Sequence, residues 1–288
     1  MPDLDLRPLS LGEILDRTFS LYRRNFVLFM GITALPHLLT LALNLAQAAV
    51  VKPPVSTTAR AAGQLPTPSN GLMAFGIVGF FIGVIIYFVT YLFAQGGTVF
   101  AVSELYLGRK TTIGASFGRM RGQLGNLFGV TCLNGLAIMG GFILLIIPGI
   151  YIACRLLVAV PSALLEDLGA RASLERSWNL TKGYAGRSFV IYVLYIILIY
   201  AAMFLFLMPF TFGMILSMKD PSMFRVWFAV TQVGAFLAEV LVGPVFTIAA
   251  AVFYFDLRVR KEAFDLQFMM NPSGSLSPGT AGVPTTLT

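Results

Sequence analysis

Six stretches of this sequence are apolar for longer than a soluble domain requires: residues 26–51, 72–102, 124–147, 150–165, 188–211 and 226–254. A hydrocarbon layer is about 30 Å thick, so a helix needs roughly 20 apolar residues to cross it. Inside that layer every backbone N–H and C=O must find a partner within the chain, which leaves helices as the spanning structure for segments of this kind. The pattern predicts an all-α polytopic membrane bundle of about six transmembrane helices. Only 11% of the 288 residues are charged and the mean hydropathy is +0.82, which sets aside an ordinary soluble domain. The second stretch exceeds the length of a span and is expected to tilt or project beyond the bilayer. The fourth is short, carries Arg155 and Pro161, and follows the turn "IPGI" at Ile147 to Ile150. It reads as a tilted span or as a re-entrant piece.

The basic residues choose between these. With six spans and the N-terminus inside, 15 of the 20 Lys and Arg fall on the inner side: Arg7, Arg17, Arg23 and Arg24; Arg109, Lys110, Arg119 and Arg121; Arg171, Arg176, Lys182 and Arg187; Arg258, Arg260 and Lys261. Basic residues accumulate in cytoplasmic loops, so both termini are expected to be cytoplasmic. Dropping the fourth span would move the third basic group outside, which favours keeping it. The net charge of +7 therefore serves orientation; with no basic arm or aromatic-basic cluster, nucleic acid is not an expected partner. No secretory leader is expected, because four Arg and four acidic residues precede the first apolar run. Residues 1–270 read as one membrane domain, with a Pro/Thr/Ser-rich external loop at 52–70 and an uncharged tail at 271–288.

Between the apolar stretches lies a threefold pattern. In "LGEILDRTFSLYRR", Leu11, Ile14, Leu15, Thr18, Phe19 and Tyr22 share one helical face, while Glu13, Asp16, Arg17, Ser20, Arg23 and Arg24 take the others. Aligning Phe19 with Trp178 places Leu15 on Leu174, Asp16 on Glu175, Arg17 on Arg176, Leu21 on Leu180 and Arg23 on Lys182. A fainter copy places Phe117 at the aromatic position and Arg121 at the basic one. Each copy precedes a pair of spans, so the repeating unit is amphipathic helix, span, span. Three cytoplasmic interfacial helices are expected, each with its apolar face in the headgroup boundary or against the bundle. Arg17, Phe19, Arg23, Arg24, Phe117, Arg121, Arg176, Trp178 and Lys182 are the candidate contacts to anionic lipid or to a membrane partner. The adjacent pairs Asp16 with Arg17 and Glu175 with Arg176 are expected to pair locally.

Polar residues inside spans are costly and mark candidate sites. Glu239 lies near the middle of the sixth stretch, and the sole histidine, His37, follows Pro36 in the first. A His37–Glu239 pair would offer two protonation states, as a proton-linked transporter requires; the same residues also suit neutral interhelical hydrogen bonds. Arg155 is close enough to a span end to reach outward. Asn44, Gln47, Gln95, Asn134 and Gln232 read as interhelical hydrogen-bonding groups, and Gly79-x-x-x-Gly83 and Gly125-x-x-x-Gly129 as points of close helix approach. Cys132 and Cys154 lie in apolar runs and suggest neither a disulfide framework nor a zinc site. No phosphate-binding Gly-Lys-Ser/Thr loop, Gly-x-Ser-x-Gly elbow or His-Glu-x-x-His occurs, so neither catalysis nor a cofactor is expected.

Three stretches together, "LRPLSLGEILDRTFSLYRRNF", "IPGIYIACRLLVAVPSALLEDLGARASLERSWNLTKG" and "FYFDLRVRKEAFDLQF", resemble the bacterial multi-span proteins of the glycerophosphoryl diester phosphodiesterase membrane domain family. The resemblance reaches to about Phe268 and implies a helical bundle in a bacterial plasma membrane. It does not imply phosphodiesterase activity. In two-domain members that chemistry belongs to a separate barrel with paired histidines, carboxylates and a divalent metal, and this chain has one histidine. The leading expectation is a non-catalytic membrane protein that engages lipid or a membrane partner through its interfacial helices. The alternative is a transporter or channel for a small or lipid-like molecule, using Glu239, His37 and Arg155.

Overall fold

The computed structural model describes residues 8–50, 70–217 and 220–262; nearly all of the expected external loop, the expected tail and the last residues of the third family-like stretch lie outside these. The described residues fold into helices joined by short turns, without strands. In chain order these are α1 (Leu11–Arg24), α2 (Phe26–Val50), α3 (Asn70–Tyr106), α4 (Ile113–Met120), α5 (Leu124–Leu144) and α6 (Ile146–Leu156). There follow α7 (Ala159–Leu165), α8 (Ala170–Leu180), α9 (Ala185–Phe206), α10 (Met208–Leu216) and α11 (Pro221–Glu262). Six segments among them are long and apolar enough to cross a membrane: Phe26–Gln47, Val78–Tyr106, Leu124–Leu144, Ile146–Leu165, Ala185–Phe206 and Ser222–Glu262. The protein is an integral, multi-pass membrane protein. Its outward faces leave Val27, Phe80, Ile143 and Phe204 exposed, as a surface solvated by lipid tails permits.

Helix α11 is the hub. Its 42 residues span about 63 Å at 1.5 Å per residue, roughly twice the hydrocarbon thickness. From Ile248 to Leu257 it is buried on every face, consistent with its nearly unbroken apolar run "IAAAVFYF". Phe255 there stacks on Tyr106 at the end of α3, ring centroids 4.5 Å apart, and the Arg17 guanidinium of α1 covers the Tyr106 ring at 4.6 Å.

The three short helices α1, α4 and α8 each precede a pair of spans, as the repeat predicts. Their apolar faces settle against the bundle. In each, the residue immediately before the aligned aromatic is a small hydroxyl residue with essentially no exposure: Thr18, Ser116 and Ser177. Helix α1 starts with a reciprocal cap, the Glu13 amide donating to Ser10 Oγ at 3.3 Å and the Ser10 amide to the Glu13 carboxylate at 2.6 Å. It ends with Arg23 and Arg24, which complement the negative end of its dipole.

The fourth span is broken. The chain leaves helical bonding at residues 157–158, Pro161 sits in the first turn of α7 where no N–H is needed, and the Arg155 carbonyl at the end of α6 accepts from the Ser177 and Thr181 hydroxyls of α8, each at 2.9 Å. The buried row Ser173, Ser177, Thr181 is thus the polar complement of a helix break.

Close helix approach occurs at glycines other than those in the two Gly-x-x-x-Gly spacings. A β-carbon at Gly79 or Gly125 would meet open space, one at Gly83 only ordinary contacts near 3.8 Å, and one at Gly129 only Ala170 at 3.5 Å. By contrast a β-carbon at Gly234 would lie 2.2 Å from the Phe206 carbonyl oxygen, and one at Gly141 would lie 2.9 Å from the Gly149 backbone. Motif spacing marks a helix face; the neighbour across that face decides whether a Cβ fits. Gly234→Ala is expected to destabilise the protein by about 1–3 kcal/mol, whereas Gly79→Ala and Gly125→Ala stay within about 0.5 kcal/mol. Thermal unfolding of the detergent-purified variants checks this.

Candidate functional site: a polar cavity among the spans

Two prolines interrupt spanning helices, Pro36 in α2 and Pro244 in α11. Each lacks the N–H that would bond four residues back, and its ring pushes the preceding turn open. In both helices the carbonyl three residues before the proline accepts a side-chain group. His37 Nδ1 lies 2.8 Å from the Thr33 oxygen, and the Tyr22 hydroxyl of α1 donates to the Leu241 oxygen at 2.8 Å. The two proline-bearing turns come together: Thr33, Gly243 and Pro244 line one cavity, and a β-carbon on Gly243 would lie 3.9 Å from the Thr33 methyl.

That cavity holds about 400 Å³, within the range of small-molecule sites. His37 Nε2 lies 3.1 Å from Glu239 Oε1, close enough for an ion pair though not aligned as an N–H hydrogen bond. His37 is 2% exposed and Glu239 32%, so the acid is the reachable member. Because a carbonyl oxygen only accepts, Nδ1 carries the hydrogen shared with Thr33. A neutral His37 then turns a bare Nε2 toward the carboxylate, and one further proton is needed between the two acceptors. It resides on Nε2, as imidazolium with carboxylate, or on Oε1, as imidazole with carboxylic acid. Either arrangement is neutral as a pair, which is the low-cost state in a membrane interior.

Around the pair stand Tyr87 and Tyr91 of α3, Tyr195 of α9 and Phe246 of α11. The His37 and Tyr87 rings meet edge to face with centroids 6.4 Å apart. A second cavity of about 230 Å³ shares Tyr91, Gln95, Phe246 and Thr247 with the first and adds Thr131 and Asn134. The Gln95, Thr131 and Asn134 oxygens are buried without partners, so these groups offer hydrogen bonds to an occupant of the two cavities. This differs from the expectation that Gln95 and Asn134 join helices to one another. The tyrosines and the cavity they form were missed from sequence. Tyr87 and Tyr91 do sit four apart on one helical face, but no spacing rule brings Tyr195 across to them.

Arg155 does not join this site. It is 4% exposed and lies over the Trp178 ring at 4.5 Å, donating to the Trp178 carbonyl at the end of α8. Rather than reaching outward it terminates that helix, where a cation meets the negative end of the dipole. Phe117 is likewise committed to the bundle, whereas Trp178 packs on Arg155 and Tyr151 and is otherwise exposed. Phe117 packs on Phe93, and a β-carbon on Gly97 would come within 3.1 Å of its ring. Trp178 and Phe19 remain partly exposed, and Arg23, Arg24, Arg121 and Lys182 are exposed.

Arg17 and Arg176 take other partners than the adjacent acids. Glu175 pairs with Arg171 at 3.2 Å, while Arg176 donates to both Glu166 oxygens at 3.0 and 2.8 Å and also pairs with Glu262. Adjacent helical residues point about 100° apart, so i and i+1 cannot face one another. The Tyr254 hydroxyl completes the cluster, donating to Glu166 at 2.7 Å, and Arg258 bonds Glu262 at 3.0 Å. Nearby, buried Asp256 accepts from the Leu9 amide at 2.7 Å and pairs with Arg260 at 2.9 Å and Arg187 at 3.4 Å. These networks tie α1, α8 and α9 to the last turns of α11. The signal available in sequence was the i,i+4 spacing in "DLRVRKE", Asp256 with Arg260 and Arg258 with Glu262.

Burial would lower the pKa of Arg176, but the hydrogen bonds and charges of Glu262 and Glu166 more than offset it and hold the value above that of an ordinary arginine. A folded-state value raised above the unfolded one means that this contribution is complete below the ordinary arginine range, hence constant across neutral pH. Arg176→Met is expected to cost about 3 kcal/mol by leaving Glu166 short of its main partner, with the same loss in melting temperature at neutral and mildly alkaline pH.

No family model, curated protein or solved structure matches this chain.

Proposed function

We propose that this protein is a non-catalytic, proton-linked carrier for a small molecule, with Glu239 and His37 as its intramembrane coupling pair. The observation that carries this reading is their 3.1 Å contact on the wall of a 400 Å³ cavity. A carboxylate that must be neutralised by a proton, and that can be reached by a ligand, links occupancy to protonation. Pro36 and Pro244 each remove a backbone donor from a spanning helix beside this cavity, and irregular backbone hydrogen bonding at membrane depth is tolerated where it lines a cavity or is buried in protein. The family resemblance supports a bacterial inner membrane as the location of such a carrier, and the distribution of basic residues supports cytoplasmic termini. In proteoliposomes with a trapped pH indicator, substrate addition is expected to move protons in wild type. Glu239→Gln should abolish the flux and His37→Ala reduce it at least tenfold. Equal fluxes in wild type and Glu239→Gln would reject the pair as the coupling site.

A second reading, engagement of anionic lipid, is favoured by a separate hollow of about 650 Å³ at the end of α1, lined by Phe19, Tyr22, Arg23, Arg24 and Phe26 with Asp16 and Ser20. Two exposed guanidiniums beside aromatic rings suit a phosphate headgroup with its chains below. Arg23→Gln with Arg24→Gln is expected to lower the amount of phosphatidylglycerol retained through purification, measured by mass spectrometry against zwitterionic lipid. An unchanged lipid ratio would count against it.

A further inference from the structure

The His37–Glu239 pair holds one proton, and its removal would leave an uncompensated carboxylate within the spans. The site therefore requires one positive charge at Glu239, and a ligand cation can supply it in place of the proton. The walls indicate which kind. Tyr87, Tyr91, Tyr195 and Phe246 bring four aromatic rings to the cavity, and aromatic rings attract cations that carry little hydration. Tyr195 and Phe246 pack with centroids 4.5 Å apart, forming one continuous wall. Ile199, Met203 and Val242 make much of the remainder apolar. Among the described residues no three His, Cys, Asp or Glu gather as metal ligands; the cavity lining offers one carboxylate, its other oxygens being the neutral Gln95 amide and threonine and tyrosine hydroxyls. The buried, unpartnered Gln95 oxygen adds an acceptor for an N–H group.

We infer that the cavity binds a hydrophobic organic monocation, an alkyl or aryl ammonium, which replaces the proton of the His37–Glu239 pair. This rests on the carrier reading above and assigns its substrate class. The exchange balances: the cation enters, the proton shared by the pair leaves Nε2 or Oε1 for the aqueous phase, and His37 is left neutral with hydrogen on Nδ1 and Glu239 as a carboxylate. The site is neutral before and after. The groups facing the pair are His37 from α2, Tyr87 and Tyr91 from α3, Tyr195 from α9 and Glu239 from α11, with the Tyr22 hydroxyl of α1 bound nearby at Leu241. Among the described residues no lysine, arginine, aspartate or second glutamate lines the cavity, so Glu239 is the one charged side chain of that lining.

The test uses the full chain in nanodiscs, with benzyltrimethylammonium as the cation and its uncharged isostere neopentylbenzene as the control. Calorimetry in buffers of different ionisation enthalpy is expected to show release of one proton per cation bound. Affinity should rise up to tenfold per pH unit while the pair holds its proton. Glu239→Gln should abolish cation binding, and Tyr195→Leu, which leaves the carboxylate in place, should weaken it about fivefold; an unchanged melting profile establishes that each variant is folded. Cation binding without proton release, or of equal strength in Glu239→Gln, would overturn the exchange. Equal affinity for the isostere, or no binding of the cation, would overturn the substrate class. In those last two cases Glu239-dependent proton flux with another solute leaves the carrier reading standing, whereas its absence removes both.

Discussion

In an apolar interior a backbone carbonyl without a donor is expensive, and the organisation of this bundle follows from where such carbonyls arise. They arise at three interruptions: Pro36, Pro244 and the break between α6 and α7 near Pro161. Beside each interruption a side chain donates to a nearby carbonyl. His37 serves Thr33 within its own helix, Tyr22 reaches from α1 to Leu241, and Ser177 with Thr181 reaches from α8 to Arg155. Two of the three short helices are thereby bound to interrupted spans by side-chain hydrogen bonds to carbonyls of those spans.

The same requirement shapes the candidate site. By taking the Thr33 carbonyl, Nδ1 fixes which nitrogen of His37 faces Glu239, and so makes the contact depend on one shared proton. Thr33 and His37, beside Pro36, line the same space as the tyrosines. At the other end of the bundle the opposite strategy holds. Asp256 and the Glu166, Arg176, Arg258 and Glu262 cluster are paired and closed, and they hold α1, α8 and α9 on the hub helix. Ionisable groups are thus closed where they hold helices together and reachable at Glu239, which is why Glu239 rather than the larger cluster is the functional candidate.

Much of the scaffold was legible because its signals are periodic and local. Span length, the helical spacing of the α1 apolar face and the recurrence of an aromatic with a following cation all depend on neighbours within a few turns. The partners of Arg176 and Arg155 were not legible, since they lie on other helices: Glu262 is 86 positions away in sequence from Arg176, and the end of α8 covers Arg155. The glycine spacings misdirected for a related reason. Gly79 and Gly125 occupy small-residue patterns with nothing opposite them, whereas Gly234 meets a carbonyl of another helix at a place its own sequence context does not mark.

The amino-acid sequence by itself determined that the chain is a helical membrane protein, where its spans and short helices lie, and that Glu239 and His37 are the anomalous polar residues of those spans. Hydropathy and helical period suffice for this, because the bilayer imposes one length and one hydrogen-bonding solution on every crossing segment. Only the tertiary structure decided that those two residues meet, that Arg155 goes elsewhere, and that three tyrosines from two helices enclose the contact. These depend on the rotation of each helix about its axis, which packing against several neighbours sets at once.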